Sequence, residues 1–136
     1  MGAGTGGTLM KIGTDIVECE RIQHAMEAHP KQFPQMVFTE AEMASAPENP
    51  QARVAYFSGR WAAKEAIAKA LGCGFGANCA WLELSIRNEE GGAPVAELSG
   101  SALETFRRLK GTALHISISH ERHYATAVAV LEQEKP

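Results

Sequence analysis

Cysteine is scarce in this chain, and the few cysteines are not paired. Cys19, Cys73 and Cys79 are the only three in 136 residues, and their spacing forms neither an even disulfide set nor a CxxC unit. A disulfide-stabilised extracellular domain and a cysteine-based zinc site are therefore not indicated. We expect reduced thiols, as in a cytoplasmic protein.

Long apolar runs and an excess of basic residues are also missing. No segment approaches the roughly 20 apolar residues that cross a bilayer, and the N-terminus lacks the basic-then-apolar order of a signal peptide. The formal charge of -3 argues against nucleic acid as the main partner, because a phosphate-binding surface usually needs a basic excess. We expect neither a membrane nor a nucleic acid as partner.

What the chain does have is the composition of one globular domain. Hydrophobic residues make up 45% and charged residues 21%, and the length suffices for one core but hardly for two. Residues 1–9 are mostly glycine, threonine and alanine, so we predict a flexible leader or cloning remnant there and a folded domain over residues 10–136. The glycines of this leader precede a predicted strand, whereas a dinucleotide-binding glycine motif follows one.

Helical patterns occur in several segments. Thr39 and Glu42 form a capping box that predicts a short helix. The strongest pattern covers residues 51–71, which are rich in alanine and contain no internal proline. Two further helices are predicted at residues 21–28 and, opened by a second S-x-x-E box, at residues 101–110.

The remaining apolar segments alternate with polar residues or are rich in β-branched residues. They predict a first strand within the segment of residues 9–18 and further strands at residues 81–87, 94–98, 114–119 and 124–131. The first strand is expected to end near Asp15, and turn-rich sequences join the last four strands into two antiparallel hairpins. We therefore predict a single α+β domain with a mainly antiparallel sheet.

The long predicted helix carries two charged pairs at i and i+4. Glu65 and Lys69 share a face in the favourable order, and the two cations Arg60 and Lys64 are spaced in the same way. Taken alone, the first pair is a surface salt bridge worth ~0.3–0.5 kcal/mol, and the second is a solvated face. Because alanines between them allow close approach, the cations could also hold a phosphate.

Polar residues on the predicted strands are further candidates. Asp15 stands among apolar neighbours, so a partly buried carboxylate there would need a cation or hydrogen-bond donors, unless it caps a turn. Alternation places His115 and Ser117 on one strand face, which could line a ligand site or simply meet water. The histidines around this strand lack the spacing of a zinc site.

Four separated motifs together resemble one family. IGTDIVECERI at residues 12–22, FTEAE at residues 38–42, GRWAAKEAIAKALGCG at residues 59–74 and HISISH at residues 115–120 occur in the order seen in the holo-acyl-carrier-protein synthases. The resemblance implies the 4′-phosphopantetheinyl transferase fold, with the sheet packed against the long helix. It also implies transfer of 4′-phosphopantetheine from coenzyme A to a serine of an acyl carrier protein, with release of adenosine 3′,5′-bisphosphate, in bacterial fatty acid biosynthesis.

The resemblance further implies a catalytic set on the first strand and the long helix. It makes Asp15 and Glu65 ligands of Mg²⁺, a hard ion suited to one or two carboxylates together with phosphate oxygens and water. Lys64 and Lys69 are expected to contact phosphates, and Lys69 also to neutralise the departing nucleotide. Glu65, or a metal-bound water that it orients, is the candidate base for the carrier serine.

Other residues match positions at the ends of the two substrates. Arg60, His115 and Ser117 correspond to the nucleotide end of coenzyme A, and Arg21 to an arginine that meets the acidic carrier protein. Where the family often has G-K-P in a hairpin loop, this chain has Ala93 in place of the lysine, so we expect no phosphate contact there. Because family members resemble one another in forming trimers with sites between subunits, the resemblance implies a homotrimer.

Two other functions remain open from the sequence. The chain could be a non-catalytic protein that binds coenzyme A or a carrier protein, although the intact Asp15, Glu65 and Lys69 argue against that. It could also be a broader phosphopantetheinyl transferase of secondary metabolism, although those relatives resemble two fused copies and this chain shows no duplication.

Overall fold

Residues 9–135 are described by a computed structural model, and they alternate between short helices and strands around one long helix. In chain order the elements are β1 (Leu9–Glu18), α1 (Cys19–Ala28), α2 (Gln32–Val37), α3 (Glu40–Ser45), α4 (Pro50–Ala70), a short 3-10 helix (Trp81–Glu83), β2 (Leu84–Asn88), β3 (Pro94–Leu98), α5 (Gly100–Arg108), β4 (Gly111–His120) and β5 (Tyr124–Gln133). The predicted leader lies outside the described residues, apart from Leu9, which begins β1. Within the described part of the chain, no helix is long and apolar enough to cross a membrane.

The strands form two separate antiparallel units. β1, β5 and β4 make a three-stranded sheet with β5 in the centre, and β2 pairs with β3 in a hairpin. Both predicted hairpins are present, whereas the pairing of the first strand with the last was not predicted. The predicted α+β class, with a mainly antiparallel sheet against the long helix, is confirmed.

Helix α4 packs on the sheet through very close contacts. A Cβ atom placed on Gly13 of β1 would lie 2.0 Å from the carbonyl oxygen of Ala66 and 2.7 Å from the amide nitrogen of Ala70. One on Gly59 of α4 would lie 2.8 Å from Cγ2 of Ile118. Glycine inside a helix is unfavourable by about 1 kcal/mol relative to alanine, and here it permits the close approach of helix and sheet. The middle of β1 is thereby held against the C-terminal half of α4.

Aromatic side chains pack along another part of α4. The ring centroids of Phe75 and Trp81 are 3.7 Å apart, those of Trp81 and Trp61 are 4.4 Å apart, and Phe33 stacks on Trp61 at 5.8 Å. Such aromatic pairs contribute ~0.5–1.5 kcal/mol beyond their buried area. They attach α2 and the segment after α4 to the long helix.

The ends of α5 differ from the sequence prediction. The S-x-x-E box predicted at residue 101 is wrong, because the carboxylate of Glu83 accepts hydrogen bonds from the amide groups of Ser101 at 2.7 Å and Ala102 at 3.3 Å. A carboxylate from another element satisfies the free amide groups of a helix start as well as a local one does. At the other end, Lys110 and not Gly111 takes the left-handed conformation, with φ of 58°.

Candidate functional site

Asp15 and Lys69 form an ion pair between β1 and α4. Asp15 lies inside β1, opposite Ala127, and not at the strand end that the sequence predicted. Its Oδ1 accepts a hydrogen bond from Nζ of Lys69 at 3.2 Å, and the same ammonium donates to the carbonyl oxygen of Thr14 at 2.8 Å. The side chain of Lys69 stays 54% exposed and that of Asp15 is 16% exposed. One ammonium N–H of Lys69 is therefore left for a ligand.

Glu65 stands one turn before Lys69 on α4 and is half-buried beside the ion pair. Burial and then the negative charge of Asp15 raise the pKa of Glu65, while the positive charges of Lys69 and Arg21 partly oppose this. Two neighbouring carboxylates make a site that a cation would stabilise. The structure thus brings together three predicted catalytic residues, with the exposed Arg21 of α1 close by.

The chemistry of this donor set fits a hard divalent ion. Carboxylate oxygens are the ligands that Mg²⁺ prefers, and it commonly uses only one or two of them. Within residues 9–135, no group of three or more His, Cys, Asp or Glu side chains is placed to hold a metal. Any ion held by Asp15 and Glu65 would therefore complete its coordination with water and substrate oxygens.

An open groove of about 520 Å³ adjoins the ion pair. Its polar lining comes from Thr14, Asp15, Lys69, Ser117, Ser119 and Thr126. Most of these residues belong to the outer face of the sheet, the face turned away from α4, and Lys69 reaches them at the free edge of β1. Hydroxyl groups and an ammonium are donors suited to phosphate oxygens. Ser117 therefore shares a groove with the ion pair.

Within one chain, His115 does not lie beside Asp15 and Glu65, the two carboxylates called the acid pair below. It lies on the outer face of the sheet, in register with Val130 and, beyond it, Ile12. Its Nε2 is 2.7 Å from Oε2 of Glu132, and its side chain is 62% exposed. Asp15 points to the other face, toward α4, because successive residues of a strand alternate.

Arg60 also lies away from the acid pair. Its guanidinium is 4.0 Å from the centroid of the Tyr56 ring, and its Nη2 donates to Oδ1 of Asn88 at 3.1 Å. Only 7% of the residue is exposed, and its Nε has no hydrogen-bond partner among the described residues. The structure does not place Arg60 in the groove with Asp15 and Lys69.

Lys64 is fully buried, which corrects the predicted phosphate contact. Its Nζ donates to the carbonyl oxygen of Val37 at 2.6 Å, to Oε1 of Glu42 at 2.7 Å and to the carbonyl oxygen of Trp81 at 3.2 Å. Burial lowers the pKa of Lys64, and the negative charge of Glu42 partly opposes this. All three ammonium protons are engaged and no solvent reaches them, so none is left for a phosphate.

Glu42 has a larger role than the capping box assigned to it. The predicted box is confirmed, because Glu42 Oε1 accepts from the amide of Thr39 at 2.8 Å and the Thr39 hydroxyl accepts from the amide of Glu42 at 3.2 Å. The same carboxylate also accepts from the amide of Ile86 at 2.8 Å and pairs with Lys64. The only sequence signal for the Glu42–Lys64 ion pair was that both residues fall in motifs that carry the family resemblance.

A second groove, of about 1080 Å³, lies at the N-terminal end of α4. It is lined by the starts of α1 and α4 and by the β4–β5 turn. Its acidic and basic residues are Glu18, Glu20, His120, Glu121, Arg122 and His123. Sequence reasoning missed this groove, because its three walls are far apart in the chain and meet only in the fold.

Comparison with known sequences places these features in a family. The model of the 4′-phosphopantetheinyl transferase superfamily matches residues 11–129. A holo-acyl-carrier-protein synthase from Shewanella amazonensis is 41% identical over 124 residues, which cover 91% of this chain and 98% of the relative. One from Jannaschia sp. is 36% identical over 132 residues, covering 94% of this chain and 87% of the relative.

Solved structures show the same fold. The holo-acyl-carrier-protein synthase of Bacillus anthracis, in complex with CoA (3′,5′-ADP), is 31% identical with a TM-score of 0.79 and covers 94% of this chain and 100% of its own. The Helicobacter pylori synthase, in complex with coenzyme A, is 29% identical with a TM-score of 0.78 and covers 88% of this chain and 98% of its own. The correspondence therefore extends over nearly the whole described chain.

Proposed function

This chain belongs to the holo-acyl-carrier-protein synthases of the 4′-phosphopantetheinyl transferase superfamily, and on that premise we propose that it transfers 4′-phosphopantetheine from coenzyme A to a serine of apo acyl carrier protein. The reaction releases adenosine 3′,5′-bisphosphate and serves fatty acid biosynthesis. The observation that carries the proposal is the meeting of Asp15, Glu65 and Lys69 beside an open groove. We place the reaction in a bacterial cytoplasm, which fits the three free cysteines.

The acid pair is the site that we propose for Mg²⁺. Asp15 and Glu65 would hold the ion, and their mutual proximity is unfavourable without a positive charge nearby. When bound, Mg²⁺ supplies charge that stabilises the phosphate oxygens of coenzyme A.

The protein's own side chains have separate roles in the transfer. The carrier serine oxygen forms a bond to the β-phosphorus of coenzyme A, and the bond from that phosphorus to the bridging oxygen of the leaving nucleotide breaks. Lys69 donates its remaining N–H to the phosphate oxygens and offsets the charge of the leaving group. Glu65 accepts the serine proton, either directly or through a water that it orients. Arg21 offers an exposed positive charge to an acidic carrier protein.

A homotrimer with sites between subunits is the assembly that we propose. The outer face of the sheet leaves Met10 59%, Ile12 64% and Ile16 63% exposed. Exposed apolar patches of this kind favour contact with another surface. His115 lies on the same face, so packing between copies could bring it to the acid pair of a neighbour.

The test of transfer is the intact mass of apo acyl carrier protein after incubation with this protein and coenzyme A, with Mg²⁺ or with chelator. We expect a phosphopantetheine-sized gain only with metal, no gain with Glu65→Gln, and a normal gain with Glu104→Gln, an exposed acid on α5. If the folded wild type modifies none of several acyl carrier proteins, the proposal is wrong. Peptidyl carrier proteins and calorimetric titration with coenzyme A would then separate a broader transferase from a binding protein.

The shared site is tested by complementation. Light scattering should give three times the mass of one chain, and Ile12→Asp should lower it. Asp15→Asn and His115→Ala should each abolish transfer when expressed alone. Co-expressed with different tags and purified through both, they should regain part of the activity. Some sites then combine the intact Asp15 of one subunit with the intact His115 of another. No recovery in the mixed oligomer would contradict sites between subunits.

A further inference from the structure

Lys64 and Glu65 are consecutive on α4 but point to different surroundings. Successive residues of an α-helix are about 100° apart around its axis. Lys64 points into the buried cluster around Glu42, whereas Glu65 stands beside Asp15. The rotation of α4 about its axis therefore sets both contacts at once.

Part of the interface between α4 and the sheet consists of side chains too short to fix this rotation by themselves. Small buried residues supply much of it, namely Gly13, Ala62, Ala66, Ala70, Ala127 and Ala129. Helices are held in register mainly by side-chain ridges that fit into grooves of the facing surface. Short side chains permit close approach but interlock little, so the rotation of α4 also depends on the contacts that the helix makes with other elements.

Lys64 adds directional, fully buried contacts on the side of α4 away from Asp15. Its ammonium binds the last residue of α2, Glu42 of α3 and the 3-10 helix before β2. Glu42 continues the connection, because its second oxygen accepts from the amide of Ile86 in β2. Four elements are thus tied to α4 at the residue next to Glu65. A buried ion pair often adds little net stability, but hydrogen bonds of this kind can specify one arrangement.

We propose that Lys64 and Glu42 are positioning residues, whose buried pair fixes the rotation of α4 so that Glu65 faces Asp15. The inference rests on the proposed function, since it concerns the geometry of the same acid pair. It requires that loss of the Lys64–Glu42 pair disturb the geometry of Asp15 and Glu65 even when the chain remains folded.

The test is the double variant Glu42→Gln/Lys64→Met, which removes both charges with little change in volume. Because neither charge is left unpaired, we expect it to unfold at a clearly higher urea concentration than Lys64→Met alone. Misplaced catalytic groups lower kcat about tenfold to a hundredfold, and KM for coenzyme A should change much less. Binding of Mn²⁺ alone, followed by electron paramagnetic resonance without coenzyme A, should weaken in parallel.

Two controls separate positioning from lost stability. Thr105→Val removes a partly buried hydrogen bond from α5 to the carbonyl oxygen of Asn78, and Arg87→Met/Glu97→Gln removes an exposed ion pair of the β2–β3 hairpin. Both should keep the wild-type kcat and Mn²⁺ affinity. Glu42→Gln alone retains an acceptor for Lys64 and provides a milder variant if the double variant does not fold.

Wild-type kcat and Mn²⁺ affinity in the folded double variant, or in Glu42→Gln if that is the one that folds, would overturn the inference. An equal fall in kcat for Thr105→Val at the same loss of stability would also overturn it. If the wild type transfers nothing to any carrier, the proposed function fails by itself. The Mn²⁺ comparison would then still decide whether the pair positions the two carboxylates.

Discussion

Lys64 and Lys69 lie five residues apart on one helix, and each is paired with a carboxylate. The Lys64–Glu42 pair is 2.7 Å apart with both side chains 0% exposed, whereas the Lys69–Asp15 pair is 3.2 Å apart with 54% and 16% exposure. The buried ammonium is shielded from solvent and uses all its protons within the protein, while the exposed one keeps a proton for a ligand. The same ionic chemistry thus supports structure on one side of α4 and a candidate active site on the other.

The largest difference is expected in stability. Lys64→Met leaves Glu42 buried without its cation, which should lower the free energy of unfolding by about 3–5 kcal/mol. Lys69→Met removes a largely exposed partner and should lower it by less than about 1 kcal/mol. Urea unfolding followed by far-ultraviolet circular dichroism measures both. Similar losses for the two variants would contradict the contrast between the pairs.

The opposite order is expected in catalysis. Lys69→Met removes the proposed donor to the phosphate oxygens and should lower kcat about 10²–10³-fold, in the range seen when one such donor is lost. Its fold should remain intact, since the pair is exposed. The rate of carrier modification by mass spectrometry gives kcat, with Lys11→Met as an exposed lysine control. A variant with near-normal kcat would remove Lys69 from the mechanism.

The close packing of β1 on α4, which brings Asp15 to Lys69, can be disturbed by a substitution in the sheet. Gly13→Ala places a methyl group against the backbone of α4, and such overpacking should lower stability by about 1–3 kcal/mol. Transfer should fall as well, because β1 must move away from Lys69. Gly91→Ala is the matched control, since a Cβ there would meet no atom within 4 Å. Unchanged transfer in a folded Gly13→Ala variant would show that this close approach is not needed.

The smallest effect concerns Glu65, which lies beside the exposed Lys69–Asp15 pair. The raised pKa of Glu65 means that the folded protein holds this proton more tightly than the unfolded chain. The stability from protonated Glu65 is complete below its ordinary pKa near 4.5 and is lost as pH rises through the raised value. With chelator at pH 7, Glu65→Gln should therefore be more stable than wild type, by less than about 1 kcal/mol because solvent screens the half-buried group.

Unfolding curves from pH 4 to pH 8 check this, with Glu104→Gln as an exposed acid that should follow the wild type. A Glu65→Gln variant that is less stable than the wild type at pH 7 without metal would show that the ionised carboxylate of Glu65 stabilises the fold. The acid pair would then not be a site of unfavourable negative charge.

Features with local causes were predicted well from the sequence. The Thr39–Glu42 box forms because both partners lie within one helical turn, and β3 has the predicted bounds because turn residues precede it. The cap of α5 was not predictable, because Glu83 reaches it from 18 residues away. Of the candidate site residues, the structure brings Asp15, Glu65 and Lys69 together, whereas Lys64 is buried against Glu42.

The sequence by itself determined most element types, the hairpins and the family, because these depend on residues that are neighbours in the chain or on motifs that can be compared directly. Helix α2 was not predicted, and residues 81–83, predicted as strand, form the 3-10 helix. Only the tertiary structure decided which of two similarly spaced cations, Lys64 or Lys69, is buried. Spacing along a helix specifies a shared face but not what covers that face. The covering residues, Val37, Trp81 and Ile86 on one side and Thr14 on the other, come from distant segments that meet only when the chain folds.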